Sequence, residues 1–153
     1  MYEGNKGIQA LDMTNMPNAV LCAHEFDGSD LTAVAYLGTS LKDYVFANCR
    51  NLVSVYMPNL TSVNTGAFSG CTSLETIDLP AVTTVQTSAF LCCYNLTSIN
   101  MPNATTLTKD AFAYCGFKRL DDTFYPPKMT RFGNAFTYNA LTAIELSNVI
   151  DIY

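Results

Sequence analysis

A unit of about 22 residues recurs along this chain and constrains its fold more than any other feature. The unit reads Leu-x-x-Ile/Val-x-Met/Leu-Pro, then a stretch rich in Thr and Ser, then Ala-Phe-x-x-Cys. Its clearest copies are LVSVYMPNLTSVNTGAFSGC (52–71), LETIDLPAVTTVQTSAFLCC (74–93) and LTSINMPNATTLTKDAFAYC (96–115). Weaker copies begin near Leu11, Leu31, Leu120 and Leu141, which makes seven at spacings of 20 to 24 residues, the last incomplete. Copy six carries two extra residues, placed by this reading in Gly116–Arg119. One coil of this length cannot bury its own apolar side, whereas stacked coils share a continuous core. A single solenoid domain over residues 1–153 is therefore expected.

Within each unit the positions three and five after the leading Leu are apolar, and the residue between them is usually polar. That is strand alternation, with +3 and +5 inward and +2 and +4 outward. The proline at +6 (Pro17, Pro58, Pro80, Pro102, Pro126) has no N–H to donate and marks a strand end. Val63, Val85 and Leu107 return the chain to the core, and the Ala-Phe pair closes the coil. Equivalent strands would form a parallel sheet at ~4.8 Å spacing.

At these residues the chain resembles the BspA-like (Treponema-type) leucine-rich repeat family, over about Leu11 to Ile152. The resemblance implies a leucine-rich-repeat right-handed β/α superhelix, predominantly β with short turns or 3-10 segments, and a parallel sheet on its concave face. It also implies bacterial or protist cell-surface or secreted proteins that adhere to host or matrix proteins, or to other cells. Copy two departs from the pattern with Leu37 in place of Pro, and copy seven lacks its Phe.

Four of the six cysteines, Cys49, Cys71, Cys93 and Cys115, hold one repeat position. Stacked in register, their Cα atoms would lie ~5 Å apart, within disulfide reach, but parallel Cβ vectors do not converge. Zinc sites use close Cys-x2–4-Cys pairs, and none occurs here. The four read as small buried hydrophobes. Cys22 and Cys92 stand off this ladder and are the candidates for reactivity.

The single histidine, His24, precedes the first coil-closing Phe and sits in no recognisable nucleophile turn. No phosphate loop, nucleotide fingerprint or metal motif occurs, so no cofactor and no catalytic residue are expected. A rival reading places paired carboxylates on a solenoid face for polysaccharide chemistry, but such sites need longer loops than these short coils provide. The net charge is −5 with eight scattered basic residues, which offers no clustered basic face for nucleic acid. No apolar run reaches the ~18–20 residues of a membrane span. The first twenty residues lack the pattern of a secretion signal, which leaves an intracellular scaffold, a mature form or an excised piece all open.

Function is sought instead on the outward strand positions. At +2 these are Met13, Ala33, Ser54, Thr76, Ser98, Asp122 and Ala143; at +4 they are Asn15, Ala35, Tyr56, Asp78, Asn100, Phe124 and Glu145. Tyr56, Asp78, Asn100, Asp122, Phe124 and Glu145 form the candidate site, with two aromatics among acids. Exposed aromatics on a solenoid face are typical contact anchors for a protein partner, and Tyr56 with Phe124 would alternatively stack on a glycan; the plain alternative is that exposed strand positions only need soluble side chains, the acids keeping the sheet from aggregating. The terminal coils present apolar residues such as Val149 and Ile152, which points to end-to-end self-association or to a longer repeat protein.

Overall fold

The computed structural model of the chain describes residues 6–16, 18–121 and 133–145. Ten short strands follow one another: β1 Ala10–Met13, β2 Ala33–Tyr36, β3 Ser54–Tyr56, β4 Ser62–Val63 and β5 Thr76–Asp78. Then come β6 Thr84–Val85, β7 Ser98–Asn100, β8 Thr106–Leu107, β9 Arg119–Asp121 and β10 Ala143–Glu145, with a 3-10 helix at Gly133–Phe136 before the last. Every pairing is parallel, between a strand and its counterpart one coil on. Seven strand passes on the first side and six Phe turns make a β-solenoid of about six turns.

The sequence unit dictates each side of the coil. On the first side, β5 and β7 pair Ile77 with Ile99 and Asp78 with Asn100, so the +3 residues are buried and the +4 residues exposed. The proline after each central strand opens a β-turn: Leu60, Val82 and Ala104 donate their N–H to the carbonyls of Met57, Leu79 and Met101. Proline at the second turn position supplies the required φ without losing a bond. On the second side β4, β6 and β8 form a ladder. Beside it, Thr61, Thr83 and Thr105 each direct both N–H and hydroxyl at the carbonyl of the preceding coil's Thr.

The third side is the Phe turn. Phe26, Phe46, Phe68, Phe90, Phe112 and Phe136 stack with ring centroids 5.0–5.7 Å apart and near-parallel planes. Each Phe N–H from Phe26 to Phe112 donates to a carbonyl one coil ahead, and so do the residues two before and two after it. Those flanking residues carry positive φ: His24, Tyr44, Gly66, Ser88 and Asp110 before, Gly28, Asn48, Gly70, Cys92, Tyr114 and Tyr138 after. Alternating left-handed residues keep three N–H groups pointing along the solenoid axis while the chain turns.

Copies one and six take a different register from the one read in sequence. Leu11 pairs with Val34 and Met13 with Tyr36, so Leu11 is a +3 residue and its coil leads with Ile8. Met13 is therefore buried where it is expected to face outward, and Ala10 and Asp12 are the outward pair. In copy six Leu120 pairs with Ile144, which makes Phe117 the leading residue and puts Arg119 at +2 and Asp121 at +4 in the strand register. Phe117 is fully buried and meets Phe112 and Phe136 edge-on, filling the place of a leading Leu. The extra residues of this coil thus lie beyond Leu120, not in Gly116–Arg119.

Candidate functional site

By strand register the +4 column reads Asp12, Ala35, Tyr56, Asp78, Asn100, Asp121 and Glu145, beside a +2 column of Ala10, Ala33, Ser54, Thr76, Ser98, Arg119 and Ala143. Of the six candidates, Tyr56, Asp78, Asn100 and Glu145 stand on this face; Asp122 and Phe124 lie outside the described residues. The strand register gives their expected places to Arg119 and Asp121.

Tyr56 is 57% exposed, and its strand partner is Ala35, so its ring rises above a shelf of small side chains on that flank. Asp78 accepts a 2.8 Å hydrogen bond from the Asn100 amide, which fixes both side chains across the β5–β7 pair. Glu145 is ion-paired with the Arg119 guanidinium. Sequence reading missed Arg119 and Asp12. The signal for Arg119 was Phe117 two residues earlier, an apolar residue that could lead a coil. Asp12 takes a 2.9 Å bond from the Thr14 N–H and a 2.7 Å bond from its hydroxyl. These bonds, the backbone one foremost, hold the Asp12 carboxyl below the ordinary carboxylate range, so this charge persists at mildly acidic pH. The face therefore offers one prominent aromatic, small neighbours on one flank and carboxylates on the other.

The residues singled out for chemistry elsewhere have structural work. Sγ of Cys49, Cys71, Cys93 and Cys115 donates at 3.1–3.2 Å to the carbonyl of Phe26, Phe46, Phe68 and Phe90, one coil back. Asn139 holds the equivalent position after Phe136 and donates its amide to the Phe112 carbonyl at 2.7 Å. Ser29 holds it in the first coil, buried against Cys49. The ladder thus asks for a small buried donor as well as for volume. Burial above all pushes the thiols of Cys49, Cys71 and Cys115 up, which keeps them protonated and inert. All six cysteines are free thiols. His24 and Cys92 occupy left-handed turn positions. The His24 ring stacks on Tyr44 at 5.0 Å and its Nδ1 lies 3.0 Å from Asp27. Among the described residues no group of three or more His, Cys, Asp or Glu side chains is placed to hold a metal, and no helix is long and apolar enough to cross a membrane.

Comparison with known proteins follows the same lines. A profile described as "BspA type Leucine rich repeat region" matches residues 39–153 in six copies. No curated protein matches the sequence at a significant level. Three crystal structures share the fold. A leucine-rich repeat protein of Bacteroides ovatus superimposes with a TM-score of 0.58 at 18% identity, over 95% of this chain and 54% of that one. A leucine-rich repeat protein of T. pallidum gives 0.66 at 15%, over 90% and 63%. A leucine-rich cell surface protein of Faecalibacterium prausnitzii gives 0.52 at 20%, over 92% and 43%. This chain spans less than two thirds of each.

Proposed function

Because the chain belongs to the BspA-type leucine-rich repeat family, we propose that it is a non-catalytic recognition module whose outward strand face binds a protein partner at a cell surface. The observation that carries this reading is the contrast between repeated core and unrepeated face. Leu, Ile/Val, Phe and Cys recur coil after coil, while the +4 column changes at every step from Asp12 to Glu145. A face needed only for solubility requires no Tyr half out of the sheet. Tyr is a typical interface anchor, since it brings large area with little rotamer entropy to lose. Asp78 follows it in the column and Asp12 lies beyond Ala35 on the other side, and these carboxylates favour a partner with a basic rim around an apolar pocket.

The cell-surface placement draws support from the family and from the F. prausnitzii neighbour, a cell surface protein. The test is a quantitative binding screen of the purified chain against matrix and cell-surface proteins, run beside a glycan array. Saturable binding to a protein, weakened about tenfold or more by Tyr56→Ala with the fold retained, supports the reading. Binding that ignores Tyr56→Ala, Asp78→Asn and Asp12→Asn alike contradicts it.

A further inference from the structure

Between the Phe turns and the first-side strands a furrow runs along the solenoid. It follows the columns two and four residues after each Phe. Three hollows of about 350, 480 and 490 Å³ lie in it end to end. The first two share Asn48 and Arg50 as a wall, and the second and third share Tyr94. Gly28, Gly70 and Gly116 line them in alternate coils, so the Arg50 and Tyr94 ridges stand two coils, about 10 Å, apart. Gly116 cannot be filled without conflict, because a Cβ there would lie 2.7 Å from the Tyr94 carbonyl oxygen.

The three hollows differ in charge. Asp30 faces the first, and Glu75 and Lys118 face the third. No carboxylate lines the middle one, where the Arg50 guanidinium forms no ion pair with a described residue. An unpaired guanidinium in such a hollow, on a chain of net charge −5, is a local anion site. Beside it the Tyr94 ring is 57% exposed and lines the same hollow. One Asn48 amide N–H is spent on Asp27 at 3.0 Å and the Thr72 hydroxyl proton on the Arg50 carbonyl at 3.4 Å. Their oxygens remain to accept from a ligand's hydroxyls.

The N–H groups of Asn48, Gly70 and Cys92 donate to Ser69, Leu91 and Ala113 one coil ahead and are not open to pair with a peptide. A guanidinium for a carboxylate, an exposed aromatic face and two hydroxyl acceptors match an acidic sugar. We propose that the middle hollow is a saccharide subsite for a carboxylate-bearing sugar, a uronic or a sialic acid. Its carboxylate lies on Arg50, an apolar ring face lies on Tyr94, and its hydroxyls donate to Thr72 and Asn48.

Cys92 lines the hollow and reports on it, while exposed Cys22 lies outside and serves as the control. The full chain is alkylated with iodoacetamide in its native state and read by mass spectrometry. Runs contain trigalacturonic acid, 3′-sialyllactose, neutral lactose or an oligoglutamate peptide, and calorimetric titration of the same four runs in parallel. Heat of binding and slowed labelling of Cys92, with Cys22 unchanged, from one or both acidic saccharides are expected; which of them binds separates the uronic from the sialic source. Arg50→Gln should weaken that binding about tenfold or more, as loss of a charged hydrogen-bond partner does. The proposal is overturned by no binding of either acidic saccharide, by equal binding of lactose, by protection from the peptide alone, or by full affinity in Arg50→Gln.

Discussion

Each ladder cysteine gives its thiol proton to the Phe carbonyl one coil back, and Ser29 and Asn139 keep the position polar at the two ends of the described stack. Cys71→Ala removes volume and donor together and should cost about 2 kcal/mol in urea unfolding, with Cys71→Ser about half that because the donor stays. The thiols also link stability to pH. Those of Cys49, Cys71 and Cys115 are raised by burial, so they hold their protons where unfolded thiols lose theirs. Their stabilisation is complete below the unfolded thiol's pKa of about 8.5 and declines above it, by about 1.4 kcal/mol per pH unit for each thiol. Unfolding measured from pH 7 to 10 should show this fall, and Cys71→Ser should make it shallower by about one thiol's share. An equal slope in both proteins would contradict the assignment. At the Phe turn, Gly66 has φ +61, and a Cβ there would sit 2.2 Å from the Tyr44 ring. Gly66→Ala should therefore destabilise by about 2 kcal/mol and displace Tyr44 from its stack on His24.

The coil is held between three sets of inter-coil bonds, and the Phe stack runs through its interior. Phe90 lies between Phe68 and Phe112 at 5.3 and 5.0 Å and is fully buried. Phe90→Ala should cost about 3–5 kcal/mol, and Phe90→Leu markedly less, as a thermal or urea series would show. Alternation, proline and Phe made the three central coils legible to the residue, because there every spacing repeats. Copies one and six were misread because Leu11 and Leu120, each followed by a proline six residues on, mimic the leading Leu of the central copies. The steadier ruler runs forward from the ladder position, two or three residues to the next leading apolar side chain, and it finds Phe117 after Cys115 and Leu141 after Asn139. The left-handed turn residues were not legible, since His24, Tyr44, Ser88, Cys92, Asp110 and Tyr114 share no side-chain chemistry. What they share is a backbone duty. The candidate site was half legible: Tyr56, Asp78, Asn100 and Glu145 follow from alternation, whereas Asp12 and Arg119 needed the true register.

At the scale of the molecule the solenoid is one-dimensional, with each coil bonded to its two neighbours, so stability should be graded along its length. Hydrogen exchange should be slowest for the N–H groups of Phe46, Phe68 and Phe90 and faster in β1 and β10, with Phe90→Ala opening the neighbouring coils first. The same geometry separates function from fold, because the core repeats while the outward strand columns vary freely. The most direct test of that division is an affinity scan against the first protein partner the binding screen yields. Tyr56→Ala, Asp78→Asn and Asp12→Asn on the strand face are compared with Thr105→Ala on the second side, melting temperatures being recorded throughout. The account predicts that the strand-face changes weaken binding, Tyr56→Ala by about tenfold or more, at unchanged melting temperature, while Thr105→Ala leaves affinity intact. Full affinity in all three strand-face variants, with loss in Thr105→Ala, would contradict it.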